Sequence, residues 1–285
     1  MNKGISIIIP AYNEAGAIHD TVRRVLEVCG KLARPYEIIV VDDGSTDGTG
    51  EAASRAGAKV IINPANGGYG LSLQRGIKQA QYPLIAITDA DGTYPVEELP
   101  GFLRGIDKGF DMVVGARQGE VFEGSVVKSF SRKVFKWLAE YVAGQRIPDI
   151  NSGLRIFRKD LALRYLPETC LGFSFTTSLT LVFMLQGHFV QYVPISYSAR
   201  IGKTKVRHFR DALRTLQIMT QIILRYNPIK LFLLAASGVL LLAVLFGIAG
   251  RMADNGITVL GAWMLGAAAA VILAMGFLAE SSRRG

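Results

Sequence analysis

Residues 84–95 read LIAITDADGTYP. The run LIAIT at 84–88 is apolar and has the length of a buried strand, and two aspartates, Asp89 and Asp91, follow it one residue apart. The glycine, threonine and proline that come next are residues that stop a strand. Because neighbouring carboxylates repel each other and raise each other's pKa, the pattern indicates that a positive charge lies between them.

Three further apolar runs precede this stretch, and each ends in a polar cluster. Predicted strands at 5–9, 37–41 and 59–63 are followed by PAYNE, DDGSTD and NPANGGYG, and helical patterns separate them. Continuous apolar strands that alternate with helices predict an α/β fold, with a mainly parallel sheet covered by helices on both faces. Ligands of such sheets bind beyond the carboxyl ends of the strands, so the four clusters locate one site.

The C-terminal part of the chain predicts contact with a membrane. Residues 206–227 place apolar side chains at helical spacing and arginines on other faces, as in an amphipathic helix on a membrane surface. Two apolar runs, 228–250 and 257–279, each reach the roughly 20 residues that a helix needs to cross a bilayer. The short connector RMADN joins them into a hairpin. The expected organisation is therefore a catalytic domain over 1–205 followed by these three helices.

The charge of the chain limits its partners. The formal net charge is +9, and the basic residues gather just before the apolar tail, without a nucleic-acid-binding motif. This favours a phosphorylated ligand or an anionic membrane surface over nucleic acid. Basic residues flank the apolar pair, and the N-terminal apolar run is too short for a signal peptide. We therefore expect an integral protein of the cytoplasmic or endoplasmic reticulum membrane, with its catalytic domain on the cytoplasmic face.

The paired aspartates predict a metal site. Because side chains alternate along a strand, a strand end with the pattern D-x-D points Asp89 and Asp91 to the same side, so both can face one divalent cation. Hard carboxylate oxygens favour Mg²⁺ or Mn²⁺, shared with substrate phosphates. The alternative is a capped turn with two solvated aspartates. The two cysteines and three histidines show no disulfide or metal-ligand spacing.

Four motifs in this order carry a resemblance to a known family. SIIIPAYNE, VVDDGSTDGT, NGGYG and DADGTYP resemble the family 2 glycosyltransferases, which have the Rossmann-like GT-A fold. The apolar hairpin and the segment SARIGKTK resemble the polyprenyl-phosphate branch, which includes dolichol-phosphate mannose synthases. The resemblance implies inverting transfer from a GDP- or UDP-sugar to a dolichyl or undecaprenyl phosphate, with Mg²⁺ or Mn²⁺ as cofactor.

The resemblance also implies a donor site at the strand ends. Asp42 would hydrogen-bond the base, and Asp89 and Asp91 would hold the metal and the sugar diphosphate. Asp43 is expected to be the structural member of the pair, since the stretch DDGSTD can also cap the next helix. This chain has Tyr69 where the family often has a lysine, while the glycines beside it allow close backbone approach. The expected nucleotide-sugar-binding residues are Pro10, Ala11, Tyr12, Glu14, Val40, Asp42, Asp89, Ala90, Asp91 and Arg200.

The acceptor site follows from charge, since a lipid phosphate must be held where the domain meets the membrane. The expected acceptor-phosphate-binding residues are Arg117, Arg132, Lys136, Arg200 and Lys205. The expected catalytic residues are Asp89, Asp91 and Arg117. Asp149 and Arg155 in the stretch PDINSGLR either order the acceptor loop or are structural. A phosphate monoester is already ionised at neutral pH, so the reaction needs no strong general base.

Other functions fit less well. A processive polysaccharide synthase usually carries QxxRW and more membrane spans, and a dinucleotide-binding dehydrogenase would place GxGxxG directly after the first strand. An inactive sugar-nucleotide-binding membrane scaffold, or a transferase that uses another lipid acceptor, remains an alternative. The sequence does not indicate the sugar, the base, the polyprenol or the oligomeric state.

Overall fold

The computed structural model describes residues 4–118, 126–172, 174–198 and 208–284. The chain forms two compact units, Met1–Ile218 and Met219–Gly285. The predicted positions Arg200 and Lys205 lie outside the described residues, and so does the side chain of Arg132.

The first unit is built on one seven-stranded sheet, in the order β3-β2-β1-β4-β6-β5-β7. All neighbouring strands are parallel except β6, which runs antiparallel to both β4 and β5. The predicted mainly parallel α/β sheet is therefore confirmed, with one reversed strand. The strands are β1 (Ile5–Ala11), β2 (Tyr36–Asp42), β3 (Lys59–Ile62), β4 (Leu84–Ile87), β5 (Met112–Gln118), β6 (Arg155–Arg158) and β7 (Val190–Ser196).

Helices connect the strands and cover the sheet. In the first unit they are α1 (Ala15–Gly30), α2 (Thr49–Arg55), α3 (Tyr69–Gln79), α4 (Leu99–Asp107), α5 (Val126–Ala143), α6 (Lys159–Tyr165) and α7 (Phe175–Leu185). Helix α8 (His208–Tyr226) follows. Because β1 is buried along its whole length and apolar except at Ser6, it needs a helix layer on each face.

The two faces of β1 contact different helices. Ile5, Ile7 and Ile9 belong to a core cluster that also contains buried residues of α1 and α4. On the other face, α3 comes so close to β1 that a Cβ atom at Gly76 would lie 2.5 Å from Cγ2 of Ile8. The sheet is thus covered on both sides, and its strand ends remain as the edge where polar loops gather.

The second unit consists mainly of two long apolar helices, α9 (Pro228–Met252) and α10 (Gly256–Arg284). Both are long and apolar enough to cross a membrane. Their connector is tight: Asp254 has a left-handed backbone (φ 48°). The side chain of Asn255 accepts hydrogen bonds from the N–H groups of Ile257 (3.1 Å) and Thr258 (3.3 Å), and so caps α10.

Small residues let the two helices approach each other closely. A Cβ atom at Gly250 would lie 2.9 Å from Cγ2 of Val259, and one at Gly276 would lie 2.6 Å from Cβ of Phe232. Close contact at small residues is a usual way for apolar helices to pack when the surrounding lipid offers no hydrophobic driving force. The predicted hairpin is thus present as a packed helix pair.

Candidate functional site

The paired aspartates lie in a turn rather than in a strand. Strand β4 ends at Ile87, so Asp89 and Asp91 follow it, and the argument from strand alternation was wrong. Asp91 is instead oriented by its own turn, since its Oδ1 accepts hydrogen bonds from the N–H (3.2 Å) and the hydroxyl (2.7 Å) of Thr93. Asp91 is only 7% exposed, which argues against a turn with two solvated aspartates.

Asp89 is held from two directions. Its Oδ1 accepts a hydrogen bond from the hydroxyl of Tyr69 at 2.9 Å. On another side the carboxylate contacts the backbone of Gly153, where a Cβ atom would lie 2.9 Å from Oδ1 and 3.1 Å from Oδ2. Burial, together with the charge of Asp89, raises the pKa of the Tyr69 phenol well above its ordinary value. Tyr69 is therefore a neutral hydrogen-bond donor to this carboxylate.

Tyr94 connects the aspartate turn to Gly153 and to β5. Its buried hydroxyl accepts a hydrogen bond from the N–H of Gly153 at 2.7 Å. Its ring meets the ring of Tyr197 edge to face, with centroids 5.2 Å apart. The guanidinium of Arg117, at the end of β5, lies over that same Tyr197 ring at 5.2 Å from its centroid. The aspartates and Arg117 therefore belong to one connected site.

Arg117 makes a two-pronged ion pair with Asp149. Its Nε and Nη2 donate to the two carboxylate oxygens at 2.7 and 3.0 Å, and its backbone N–H donates to the same group at 3.3 Å. The side chains are 14% and 4% exposed. Burial alone would lower the pKa of Arg117, but the nearby Tyr94 and the Asp149 carboxylate raise it on balance. The guanidinium therefore stays charged and fixed in direction.

Arg155 has the structural role that the sequence left open. It is completely buried, and its guanidinium donates to the carbonyl oxygens of Ser152 and Thr176 and to the hydroxyl of Thr180. Burial lowers the pKa of this group. With no exposed surface, Arg155 holds the loop that carries Gly153 through these internal hydrogen bonds.

Asp43 has a structural role at the glycine loop before α3. Its carboxylate accepts hydrogen bonds from the N–H groups of Gly67 (3.0 Å) and Gly68 (2.8 Å) and from the side chain of Asn63. It therefore fixes the glycine loop before α3. The stretch DDGSTD also meets the next helix, since Oδ1 of Asp47 accepts a hydrogen bond from the N–H of Thr49, the first residue of α2, at 3.0 Å.

The glycine loop allows another backbone to approach closely, and a later segment of the protein occupies that space. A Cβ atom at Gly70 would lie 2.2 Å from the carbonyl oxygen of Cys170. One turn into α3, the N–H of Leu71 donates to the carbonyl of Leu171 at 2.9 Å. The loop around Leu171 therefore covers the start of α3, and these glycines serve backbone packing.

The loops after β1 and β2 are tied together around Asn13. This residue has a left-handed backbone (φ 49°), which is strained for a residue with a side chain. Its N–H donates to the hydroxyl of Ser45, and its side chain accepts from the N–H of Thr46, both at 2.9 Å. The N–H of Glu14 donates to the hydroxyl of Thr49 at 2.8 Å. The two loops thus form one wall of the site.

The residues predicted to bind the nucleotide-sugar differ in exposure. Tyr12 and Glu14 are half-buried at the end of β1 and can present side chains to a ligand. Val40 has no exposed surface, so its predicted contact would have to come from its main chain. Asp42 is buried, and its Oδ1 accepts from the N–H of Ser45 at 2.9 Å. Pro10, Ala11 and Ala90 are also buried.

A divalent cation fits the aspartate turn by the chemistry of its donors. Asp89 and Asp91 offer hard carboxylate oxygens from a single turn, as Mg²⁺ and Mn²⁺ prefer. Within the described ranges, no group of three or more histidine, cysteine, aspartate or glutamate side chains could hold a metal ion. A cation here would therefore need ligands beyond these two carboxylates, and phosphate oxygens of a bound nucleotide are of the type that Mg²⁺ shares with carboxylates.

A sequence comparison identifies the family. The model of glycosyl transferase family 2 matches residues 6–166, more than half of the chain. The chain belongs to this family. That stretch contains the four strand-end clusters and the loop of Asp149 and Gly153, so the predicted family is confirmed.

Relatives of this family 2 chain include transferases of lipid-linked sugars. A dolichyl-phosphate hexose transferase of Haloferax volcanii is 30% identical over 208 residues, covering 72% of this chain and 87% of that protein. An undecaprenyl-phosphate 4-deoxy-4-formamido-L-arabinose transferase of Klebsiella pneumoniae is 32% identical over 165 residues, or 56% of this chain. This chain spans only half the length of the Klebsiella relative.

Solved structures of similar fold include glucosyl-3-phosphoglycerate synthase from Mycobacterium tuberculosis. Its complex with phosphoglyceric acid has a TM-score of 0.63 at 19% identity, covering 77% of this chain and 80% of that one. Its complex with Mn²⁺, UDP-glucose and phosphoglyceric acid gives the same TM-score at 18% identity, with 77% and 79% covered. These likenesses show the fold.

Four residues of this family 2 site have no role in the sequence analysis: Asn13, Tyr94, Gly153 and Tyr197. Asn13 and Tyr94 lie inside quoted motifs, PAYNE and DADGTYP, so their signal was present. Gly153 also lies inside a quoted stretch, PDINSGLR, whereas Tyr197 carries no distinctive signal in sequence because its role comes from tertiary contacts. Lys136 is half-buried on α5 and pairs with Glu140, one turn further along the helix, at 3.8 Å.

Proposed function

We propose that this chain is a membrane-bound inverting glycosyltransferase that moves a sugar from a nucleotide-sugar to a polyprenyl phosphate. One observation carries this proposal: Tyr94 and Tyr197 join the Asp89–Asp91 turn to the fixed, charged guanidinium of Arg117. A carboxylate turn suited to a cation and an arginine suited to a phosphate thus face the same strand ends. Donor and acceptor of such a reaction each carry phosphate, and this arrangement provides for both.

On the donor side, the joined loops after β1 and β2 would hold the nucleoside. Tyr12 and Glu14 are the side chains placed to contact it, with Asp42 as the proposed partner of the base. Asp89 and Asp91 would hold Mg²⁺ or Mn²⁺, which neutralises charge on the departing diphosphate when bound. The relatives' names support the lipid-phosphate acceptor, and the neighbours crystallised with Mn²⁺ or Mg²⁺ support the metal.

On the acceptor side, Arg117 would orient the attacking phosphate. Asp149 fixes two of its nitrogens, so the direction of the guanidinium is set before the acceptor binds, and positioning of this kind supplies much of the rate. Arg200 and Lys205 remain proposed phosphate ligands. The chain enters their segment at Ser198, whose N–H donates to the carbonyl of Thr93 at 3.1 Å, beside the aspartate turn. Arg132 and Lys136 are further proposed contacts on α5.

The proposed reaction needs no strong base in the protein. The acceptor is a phosphate monoester, ionised at neutral pH, and its oxygen attacks the anomeric carbon while the nucleoside diphosphate leaves from the opposite side. The residues of the site would act by positioning charged groups. Asp149 would orient Arg117, and Tyr69 and the backbone of Gly153 would orient Asp89.

We propose that residues 1–205 form the catalytic domain, 206–227 an interfacial helix, and 228–250 and 257–279 the membrane spans, with the catalytic domain on the cytoplasmic face.

Metal-dependent transfer tests the proposal. Membranes that contain the chain should transfer labelled sugar from one member of a panel of GDP- and UDP-sugars to an added polyprenyl phosphate. A binding scaffold without activity would retain the nucleotide-sugar but form no labelled lipid with any donor. A transferase of another lipid would label endogenous lipid but not the added polyprenyl phosphate.

A further inference from the structure

Tyr69 occupies a special place beside the aspartate turn. It is the first residue of α3, and its hydroxyl donates to Oδ1 of Asp89 at 2.9 Å across 20 residues of chain. The sequence analysis treated it only as the residue that stands where the family often has a lysine. The conformation of the glycine loop does not require a tyrosine at position 69. The hydrogen bond from its hydroxyl to Asp89 therefore needs an explanation of its own.

The base of Tyr69 is anchored on both sides. Immediately before it, the N–H groups of Gly67 and Gly68 donate to Asp43, which also holds Asn63. Immediately after it, the N–H of Leu71 donates to a carbonyl of the covering loop. Because its backbone is fixed in this way and its ring is half-buried, the hydroxyl of Tyr69 has a defined position.

The carboxylate that receives this hydrogen bond is confined on another side as well. The backbone of Gly153 lies so close that a single added carbon would come within 3.1 Å of both oxygens. A carboxylate limited by a glycine and oriented by a hydroxyl has little freedom to rotate. The donor of this hydrogen bond is uncharged, so the negative charge of Asp89 remains available to a cation. A lysine at this position would place a positive charge beside the carboxylate and repel the cation.

We infer that Tyr69 is a positioning residue for the metal-binding carboxylate: its hydroxyl orients Asp89 before the cation arrives. This inference rests on the proposed metal site. Partners of this kind, which hold a ligand rather than the metal, typically contribute 10–100-fold to metal affinity or activity. Tyr69→Phe removes the hydroxyl and keeps the ring, so it should weaken Mn²⁺ binding by about 10-fold. Tyr69→Lys should weaken it further, because it adds a positive charge next to the carboxylate.

The experiment is a Mn²⁺ titration of the full chain, purified in detergent and followed by the electron paramagnetic resonance signal of free Mn²⁺. Titrations are run with Mn²⁺ alone and with UDP or GDP. Tyr165→Phe is the matched control, since it removes a phenol that pairs with His188 at 2.9 Å, next to the start of β7 and away from the strand ends. Its Mn²⁺ affinity should equal that of the wild type. The melting temperature of metal-free Tyr69→Phe should stay within a few degrees of the wild type.

The outcomes separate this inference from the proposed function. Asp91→Asn should lose Mn²⁺ binding; if it binds like the wild type, or if the wild type binds no Mn²⁺ under any of the three conditions, the metal site is wrong and the inference falls with it. If Asp91→Asn loses binding while Tyr69→Phe binds as tightly as the wild type, the metal site stands and the positioning role is refuted. A fall in melting temperature without a change in Mn²⁺ affinity would also refute it, because it would show a purely structural role.

Discussion

Gly153→Ala should slow the proposed transfer reaction by moving one carboxylate. The added Cβ atom would lie 2.9 and 3.1 Å from the two oxygens of Asp89 and 3.1 Å from Cε2 of Tyr94. Non-bonded heavy atoms prefer separations of roughly 3.5 Å, so the carboxylate or the loop must move by about half an ångström. Misplacement by about 1 Å can cost on the order of 100-fold in rate, and we expect turnover to fall by roughly 10- to 100-fold.

The same substitution should affect stability less than activity. Overpacking of this kind costs about 1–3 kcal/mol, which lowers the melting temperature of a domain of this size by about 2–12 °C. Gly101→Ala is the matched control, because the nearest atom to its Cβ would be the flexible end of Arg104 at 3.4 Å. That variant lies inside α4 and should be as stable as the wild type or slightly more stable.

Transfer rates over a range of Mn²⁺ concentrations, together with thermal unfolding, check this reasoning. Gly153→Ala should need more Mn²⁺ for half-maximal rate and should remain slow at saturation, while Gly101→Ala should match the wild type in both. A Gly153→Ala enzyme with wild-type turnover and wild-type Mn²⁺ dependence would show that the position of Asp89 does not control the reaction.

Three further predictions concern other parts of the molecule. Asp149→Asn should lower the melting temperature by about 10 °C, since breaking a buried ion pair leaves the charge of Arg117 uncompensated; an unchanged melting temperature would contradict this. Asn13→Ala should destabilise the protein by about 1–2 kcal/mol and Asn13→Gly by less, because glycine adopts the left-handed backbone without strain; the reverse order in thermal unfolding would refute the strain argument. A cysteine at exposed Ala253, in the connector of the apolar helices, should react with an impermeant thiol reagent outside intact cells, with little background because the two native cysteines, Cys29 and Cys170, are both buried; labelling only after the cells are opened would reverse the orientation.

The sequence predicted the sheet because its signals are local. The apolar runs of β1, β2 and β4 are nearly continuous, and polar clusters mark their ends, so both the α/β class and the edge that carries the site could be inferred. The reversed strand β6 is only four residues long, Arg155–Arg158. Its direction depends on pairing with β4 and β5, which no local pattern records.

The details of the site depended on tertiary contacts, and here the sequence was a weaker guide. The aspartate pair was located correctly, but its geometry comes from a turn and from Tyr69 and Gly153 rather than from strand alternation. The glycines around Tyr69 suggested an approach to phosphate, yet the atom they approach is a carbonyl of Cys170, a hundred residues later. Asp43 was expected to be structural, but its partners, the N–H groups of Gly67 and Gly68, lie in a later loop that no local pattern indicates.

The most direct test of the account is transfer of labelled sugar to polyprenyl phosphate by the purified full chain, measured with and without EDTA. The account predicts a labelled lipid from one GDP- or UDP-sugar, complete loss of product in EDTA, recovery on adding Mn²⁺ or Mg²⁺, and a fall of several orders of magnitude in Asp91→Asn with its melting temperature unchanged. Lipid product formed at the full rate in EDTA, or by Asp91→Asn, would contradict the central claim that the aspartate turn and its cation carry the reaction.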